Sequence, residues 1–362
     1  MNPLKKLEAL GQSIWLDYIR RDLITSGRLK KMIEEDGLRG MTSNPAIFDK
    51  AITESHDYDD LIQQLAGKKN LHEIYDALTI RDIQDAADTF RPVYNKTDGH
   101  DGYVSLEVNP HLAHDTHGTV EEARRLWKEV NRPNVFIKVP ATAEGLPAIS
   151  TLIGEGINVN VTLLFGLPRY KEVALAYMTG LETLASKGKP LEHVASVASF
   201  FLSRIDVLLD PILEKKGAKE LVGEVAIASA KLAYPIYKEV FSSERFKKLE
   251  AKGAQPQRLL WASTSTKNPA YSDVKYIEPL IGPNTVNTVP LETFDAYKDH
   301  GKPELRLEKD VDKAKAIFEK LKQAGIDINQ VTQQLIDEGV EKFNKPFDHL
   351  METLEKVTKG QK

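Results

Sequence analysis

The chain has 362 residues, too many for a small domain and suited to one large α/β barrel or two ordinary domains, with 41% hydrophobic and 28% charged side chains to build a sizeable core. A formal charge of −4 carries no bias toward nucleic acid or an anionic membrane surface. Cysteine is absent, which excludes disulfides, thiolate catalysis and thiolate metal sites.

The first strand-like run is SIWLDYI (13–19), in which Asp17 lies opposite Leu16 and Tyr18. GLRGMTS (37–43) follows, and Asn44 before Pro45 reads as an N-cap with proline at the first helical position. The connection from 44 to 101 is long and mostly helical. In GYVSLEV (102–108), Val104, Leu106 and Val108 oppose Tyr103, Ser105 and Glu107. HLAHDTHG (111–118) spaces three histidines at intervals of three. A helix would align them for a metal, but the loop-like composition makes a polar loop the expectation, with no metal. Thr119 with Glu122 reads as a capping box ahead of the helix VEEARRLWKEV (120–130). VFIKVP (135–140) alternates with Phe136 and Lys138 on one face, and GINVNVTLL (156–164) places Asn158, Asn160 and Thr162 on one face.

PRYKEVALAYMTGLETLAS (168–186) reads as a helix, HVASVASFF (193–201) as the sixth strand, and Arg204 sits just beyond it. A helix over 221–241 leads to RLLWAST (258–264). Lys267, ahead of Asn268 and Pro269, reads as a cation beside another cap-plus-proline helix start, an arrangement that favours an anion such as phosphate. NTVNTV (284–289) is the eighth strand. Charged helices are expected over 307–325 and 329–358.

Eight strands alternating with helices argue for a parallel sheet closed into a (β/α)8 TIM barrel. No GxGxxG follows the first strand and no P-loop occurs. A single domain over 1–362 is expected, with helical additions outside the barrel at about 45–100 and 290–362. No run approaches eighteen apolar residues and the N-terminus lacks a signal-peptide core, so a cytoplasmic protein is expected. The C-terminal helices could cover the barrel or mediate a dimer, leaving monomer and homodimer both open.

A barrel strand covered by helices should be apolar outward. The polar faces carrying Asp17, Glu107, Lys138, Asn160 and Thr162 would then point inward, to a wet or reactive cavity. A lysine with two carboxylates is an acid–base constellation. It suits imine formation, which needs an unprotonated amine; at an unperturbed pKa roughly one lysine in a few thousand is free at neutral pH. A nearby apolar ring such as Phe136 lowers that pKa and a close carboxylate raises it, so the catalytic carboxylate is expected to act at a distance or through water; the alternative is that Asp17 and Glu107 are structural partners that satisfy Lys138 or an arginine.

TSNPAIF (42–48) and VFIKVPATAEGLPAI (135–149) resemble the two signature stretches of transaldolases, and the similarity runs through WLDYIRR, VSLEV, INVNVTLLF and LLWASTSTKNP. The length resembles the longer bacterial branch of that family. The resemblance implies a class I aldolase barrel that needs no cofactor. It implies transfer of a dihydroxyacetone unit from sedoheptulose 7-phosphate to glyceraldehyde 3-phosphate, in the non-oxidative pentose phosphate pathway. It further implies Lys138 as the Schiff-base lysine and Asp17 as the acid–base for carbon–carbon cleavage. Glu107 would act with Thr162 through a water, Asn44, Asn160 and Ser199 would hold the dihydroxyacetone hydroxyls, and Arg204 would bind phosphate. Many members carry arginine in the loop where this chain has Lys267. Phe201 stands where fructose 6-phosphate aldolases tend to have tyrosine, which favours transfer over release of free dihydroxyacetone. The alternatives are such an aldolase and a non-catalytic sugar-phosphate binding barrel. Sugar phosphates are the expected partners in each case.

Overall fold

The computed structural model describes residues 2–360. Eight parallel strands close into one barrel in chain order: β1 (Gln12–Asp17), β2 (Gly40–Thr42), β3 (Tyr103–Glu107), β4 (Val135–Pro140), β5 (Val159–Leu164), β6 (Ser196–Phe201), β7 (Arg258–Ala262) and β8 (Thr285–Val289). The ring closes where β1 pairs with β8, Trp15 opposite Thr288. Outward side chains such as Val104, Leu106, Ile137, Val139 and Val161 are almost fully buried beneath the helical ring. The period-two alternation thus separates a dry outer face from a mixed inner one, as the residue pattern requires.

The barrel interior is filled from the bottom. Arg258 at the start of β7 bonds the Asp101 carboxylate at 3.1 Å and the Ser13 hydroxyl at 3.0 Å, a buried cluster that plugs the N-terminal end. Above it lies an aromatic layer in which Phe136 stacks on Tyr103, centroids 4.3 Å apart, and on Trp15 at 6.1 Å. Gly40 makes room for it, because a Cβ there would meet the Trp15 ring at 2.5 Å. With the lower half filled, a wide opening is left at the C-terminal ends of the strands, where barrel sites form.

Four expectations are corrected. The helix Thr116–Val130 is capped by Asp115, whose carboxylate accepts the Gly118 N–H at 2.9 Å. Thr119 is already inside the first turn, donating to the Leu112 carbonyl, and Glu122 is engaged by Arg125 at 2.8 Å, so the pair cannot form a capping box. Second, no helix starts at Asn268-Pro269. The Asn268 side chain accepts the Ala270 N–H in a local turn, and the segment between β7 and β8 stays irregular apart from one short turn at Glu278–Leu280. Tertiary contacts hold it there: Tyr271 donates to Asp210 and Tyr276 to Asp206. A single capped turn without an apolar face to dock does not propagate. The alternation of strand and helix is therefore broken at the seventh repeat.

The third correction concerns the last helix, Ile328–Thr358, which does more than pack outside the barrel. Its buried stripe includes Leu335, Gly339, Phe343, Phe347, Leu350 and Leu354. That stripe crosses the C-terminal mouth against β5 and the helix Pro45–Thr53. The fourth, at Glu107, belongs to the site. Among the described residues no helix is long and apolar enough to cross a membrane.

Candidate active site

A chamber of 560 Å³ opens at the C-terminal end of the barrel. Asp17 (end of β1), Lys138 (β4), Thr162 (β5), Ser199 and Phe201 (β6) and Arg204 line it, with Asn44 and Lys267 from the loops. Eight of the ten residues named from sequence therefore share one space. Glu107 and Asn160 sit behind the wall.

Lys138 is almost fully buried, and its ammonium is held from two sides. It donates to the Ser43 carbonyl at 2.8 Å and to Glu107 Oε2 at 3.0 Å. The register explains the pairing, because Glu107 lies directly opposite Lys138 across the β3–β4 ladder. Glu107 was expected to act at a distance or through water; it makes direct contact. A buried ammonium costs several kcal/mol unless it is paired, and the opposing strand position supplies the carboxylate. Burial pushes the Glu107 carboxyl upward from its ordinary pKa, with the charge of Lys138 opposing the shift.

Asp17 is held differently. It accepts the Thr42 hydroxyl at 2.7 Å, and Thr42 is in turn bonded to Thr288 at 2.7 Å. Burial raises its pKa, against the opposing pull of Lys138, the Thr42 bond and Arg204. Both carboxyls are thus biased to accept and keep a proton, the property an acid–base group needs near neutrality.

Asn160, opposite Lys138 on β5, is fully buried. Its amide donates to the Ser105 hydroxyl at 3.1 Å, and its carbonyl accepts the Ser199 hydroxyl at 2.6 Å. It reaches the chamber through Ser199 rather than by lining it. Asn44 does cap its helix, accepting the Ile47 N–H at 3.0 Å with Pro45 next, and also lines the chamber, so the two readings of this residue coexist.

Two buried polar atoms on the chamber wall have no protein partner, Thr162 Oγ1 and Arg204 Nη1. Thr162 lies within a break in the β5–β6 register between Val161 and Leu164, with Leu163 at φ 54°. Arg204 opens the helix Ser203–Lys215 and is wedged between the rings of Phe201 and Phe343, its guanidinium 5.3 and 5.6 Å from their centroids. Buried polar atoms are normally bonded, so these two mark where a ligand's oxygens would sit. Lys267 is exposed at the rim.

Sequence reasoning missed Thr42, Ser43, Thr288, Glu292 and the helix residues Leu335, Glu338, Lys342 and Phe343. Thr42 and Ser43 lie inside the quoted TSNPAIF stretch and were readable there. The helix residues had no such signal, since their amphipathic pattern is that of any packed helix. The histidines of 111–118 do not converge. His111 pairs with Asp348 at 2.7 Å and His114 with Glu144 at 3.1 Å, both at the surface.

A family model described as Transaldolase/Fructose-6-phosphate aldolase matches residues 14–354. The chain is 51% identical to the transaldolase of Trichodesmium erythraeum, over 99% of this chain and 98% of that protein. It is 49% identical to the transaldolase of Saccharopolyspora erythraea, over 97% and 96%. The transaldolase of Thiobacillus denitrificans is 48% identical, over 97% and 99%.

Proposed function

We propose, from the premise that the chain belongs to the transaldolase/fructose-6-phosphate aldolase family, that it is a transaldolase working through an imine on Lys138. The reaction moves a dihydroxyacetone unit from sedoheptulose 7-phosphate to glyceraldehyde 3-phosphate, giving erythrose 4-phosphate and fructose 6-phosphate. One observation carries the reading: a buried lysine on the chamber wall, bonded at 3.0 Å to a buried carboxylate, with a second, half-buried carboxylate lining the same chamber.

Each group has one task. Glu107 takes a proton from Lys138 as the ketose displaces water, and the free amine attacks the carbonyl carbon. Thr162 and Glu107 position the oxygen that leaves as water. Asp17 removes the proton of the hydroxyl on the carbon beyond the bond to be cut. The carbon–carbon bond breaks, its electrons move to the iminium, and an enamine remains on Lys138 while the aldehyde departs. Asp17 keeps the proton, which its raised pKa favours, and returns it when the acceptor aldehyde is attacked. Ser199, with Asn160 behind it, and Asn44 hold the dihydroxyacetone hydroxyls. Arg204 and Lys267 bind the phosphate, Lys267 as a point charge rather than a bidentate fork. The iminium is the electron sink, so no cofactor is required.

Phe201 has no proton to give the enamine, which supports transfer over release. The chamber is built within one chain, so a monomer suffices for the chemistry. The test is reductive trapping. Incubation with fructose 6-phosphate and borohydride should place a reduced dihydroxyacetone adduct on Lys138, and Lys138→Ala should form no adduct and show no turnover. An adduct on another lysine, or transfer by the alanine variant, would remove Lys138 from the mechanism. Free dihydroxyacetone released without an acceptor would favour the aldolase reading.

A further inference from the structure

Glu107 stands between two spaces. On one side its Oε2 holds the Lys138 ammonium at 3.0 Å. On the other, Glu107 lines a separate pocket of 20 Å³ together with Tyr75, Asp76, Thr79, Asn109 and Arg125. That volume is about one water site, and the walls carry the two to four polar partners a water needs. The pocket shares Asp76, Asn109, Glu122 and Arg125 with an open groove of 1020 Å³ on the outside of the barrel. The groove runs between the helices Leu71–Lys96 and Thr116–Val130.

The last helix keeps the two spaces apart. Phe343 lines the sugar chamber, and Phe347, one turn on along the same face, lines the small pocket. Phe347 packs edge-on against Tyr75 at 5.3 Å. Asp76 is steadied by Arg125, which donates to both its oxygens at 2.8 and 3.3 Å.

We propose that this pocket is a side entrance through which water and protons reach Glu107 without passing the sugar mouth, with Asp76 and Tyr75 as its positioning residues. The inference rests on the imine reading given above. In that chemistry the lysine ammonium and the ketone condense: the C–N bond forms and the C–O bond breaks. Two of the three ammonium protons leave on the oxygen as water, and the third stays on the iminium nitrogen. Glu107 carries those protons between nitrogen and oxygen. A sugar phosphate bound at Arg204 occupies the chamber during this step, so the water released on condensation, and the water later taken up when the imine is hydrolysed, passes by way of the pocket between Glu107 and Asp76.

Two variants test it. Leu126→Phe places a larger ring in the pocket wall, and Asp76→Asn keeps the shape but removes the charge. The measurements are the rate of borohydride-trappable adduct formation with fructose 6-phosphate by rapid quench, its solvent deuterium isotope effect, and KM. Both variants should form the adduct to the full wild-type yield but roughly tenfold more slowly, since general acid–base steps are worth that much or more. KM should be unchanged and the isotope effect larger. Wild-type rate and isotope effect in both variants would overturn the proposal, and if Leu126→Phe does not fold, Asp76→Asn alone decides. Absence of any adduct in the wild type would instead sink the imine reading.

Discussion

Asp17 shows what a single residue contributes at a site built against stability. It is a half-buried carboxyl near Lys138 and Arg204, and its desolvation still outweighs both cations, so its pKa stands above the ordinary 3.8. A raised pKa in the folded state means that the group's contribution to stability is most favourable below 3.8 and is lost as pH rises through the shifted value. Asp17→Asn removes that pH-dependent loss. The variant should therefore melt at a higher temperature than the wild type near pH 8, and the gap should close as pH falls toward 4. Rapid-quench kinetics on the same variant should show cleavage impaired more than adduct formation. A melting difference that grows toward acid would contradict the sign of the shift, and equal loss of both steps would contradict the role. Residues like this one were legible from sequence because alternation alone turns Asp17, Glu107 and Lys138 inward. Sequence left open whether Glu107 pairs with Lys138, with an arginine or with neither, because strand register is a property of the closed barrel and it sets Glu107 opposite Lys138.

At the scale of elements, the last helix and β5 are fitted to each other. Leu163 adopts φ 54°, unusual for a branched side chain, and sits within the register break between Val161 and Leu164 of β5. Gly339 faces it; a Cβ at that glycine would lie 2.9 Å from Leu163 Cδ2 and 3.5 Å from Arg204 Nη1. Alanine is intrinsically the better helix former by about 1 kcal/mol, but overpacking of this kind costs about 1–3 kcal/mol. Gly339→Ala should therefore lower the melting temperature and, by pushing the helix off Leu163 and carrying its chamber-lining Glu338, Lys342 and Phe343 outward, raise KM for phosphorylated sugars. Calorimetry and steady-state kinetics check the two together. A stabilised variant with unchanged KM would mean that the helix is not seated by this contact.

For the whole molecule, the chamber takes side chains from strands around the ring and from the final helix, all within one chain. Specific activity should accordingly stay constant as the protein is diluted well below any concentration at which copies associate. Activity that falls on dilution would require a second copy to complete the site. Whole-molecule closure also explains why the site lies at one end: the Arg258–Asp101 cluster and the aromatic layer of Trp15, Tyr103 and Phe136 fill the other.

By itself the amino-acid sequence determined the class of fold, the eight strands and the inward set of Lys138, Asp17, Glu107, Asn160 and Thr162, because period-two patterning is local and each strand declares its own faces. It also determined the local cap at Asn44. It did not determine the cap at Asp115 or the irregular loop around Lys267, where competing side-chain partners from other elements settle the outcome. Nor could it place Phe343 over Lys138 and Arg204, or Phe347 over the pocket behind Glu107. Those contacts join residues more than a hundred positions apart, and only the packing of a finished barrel brings them together.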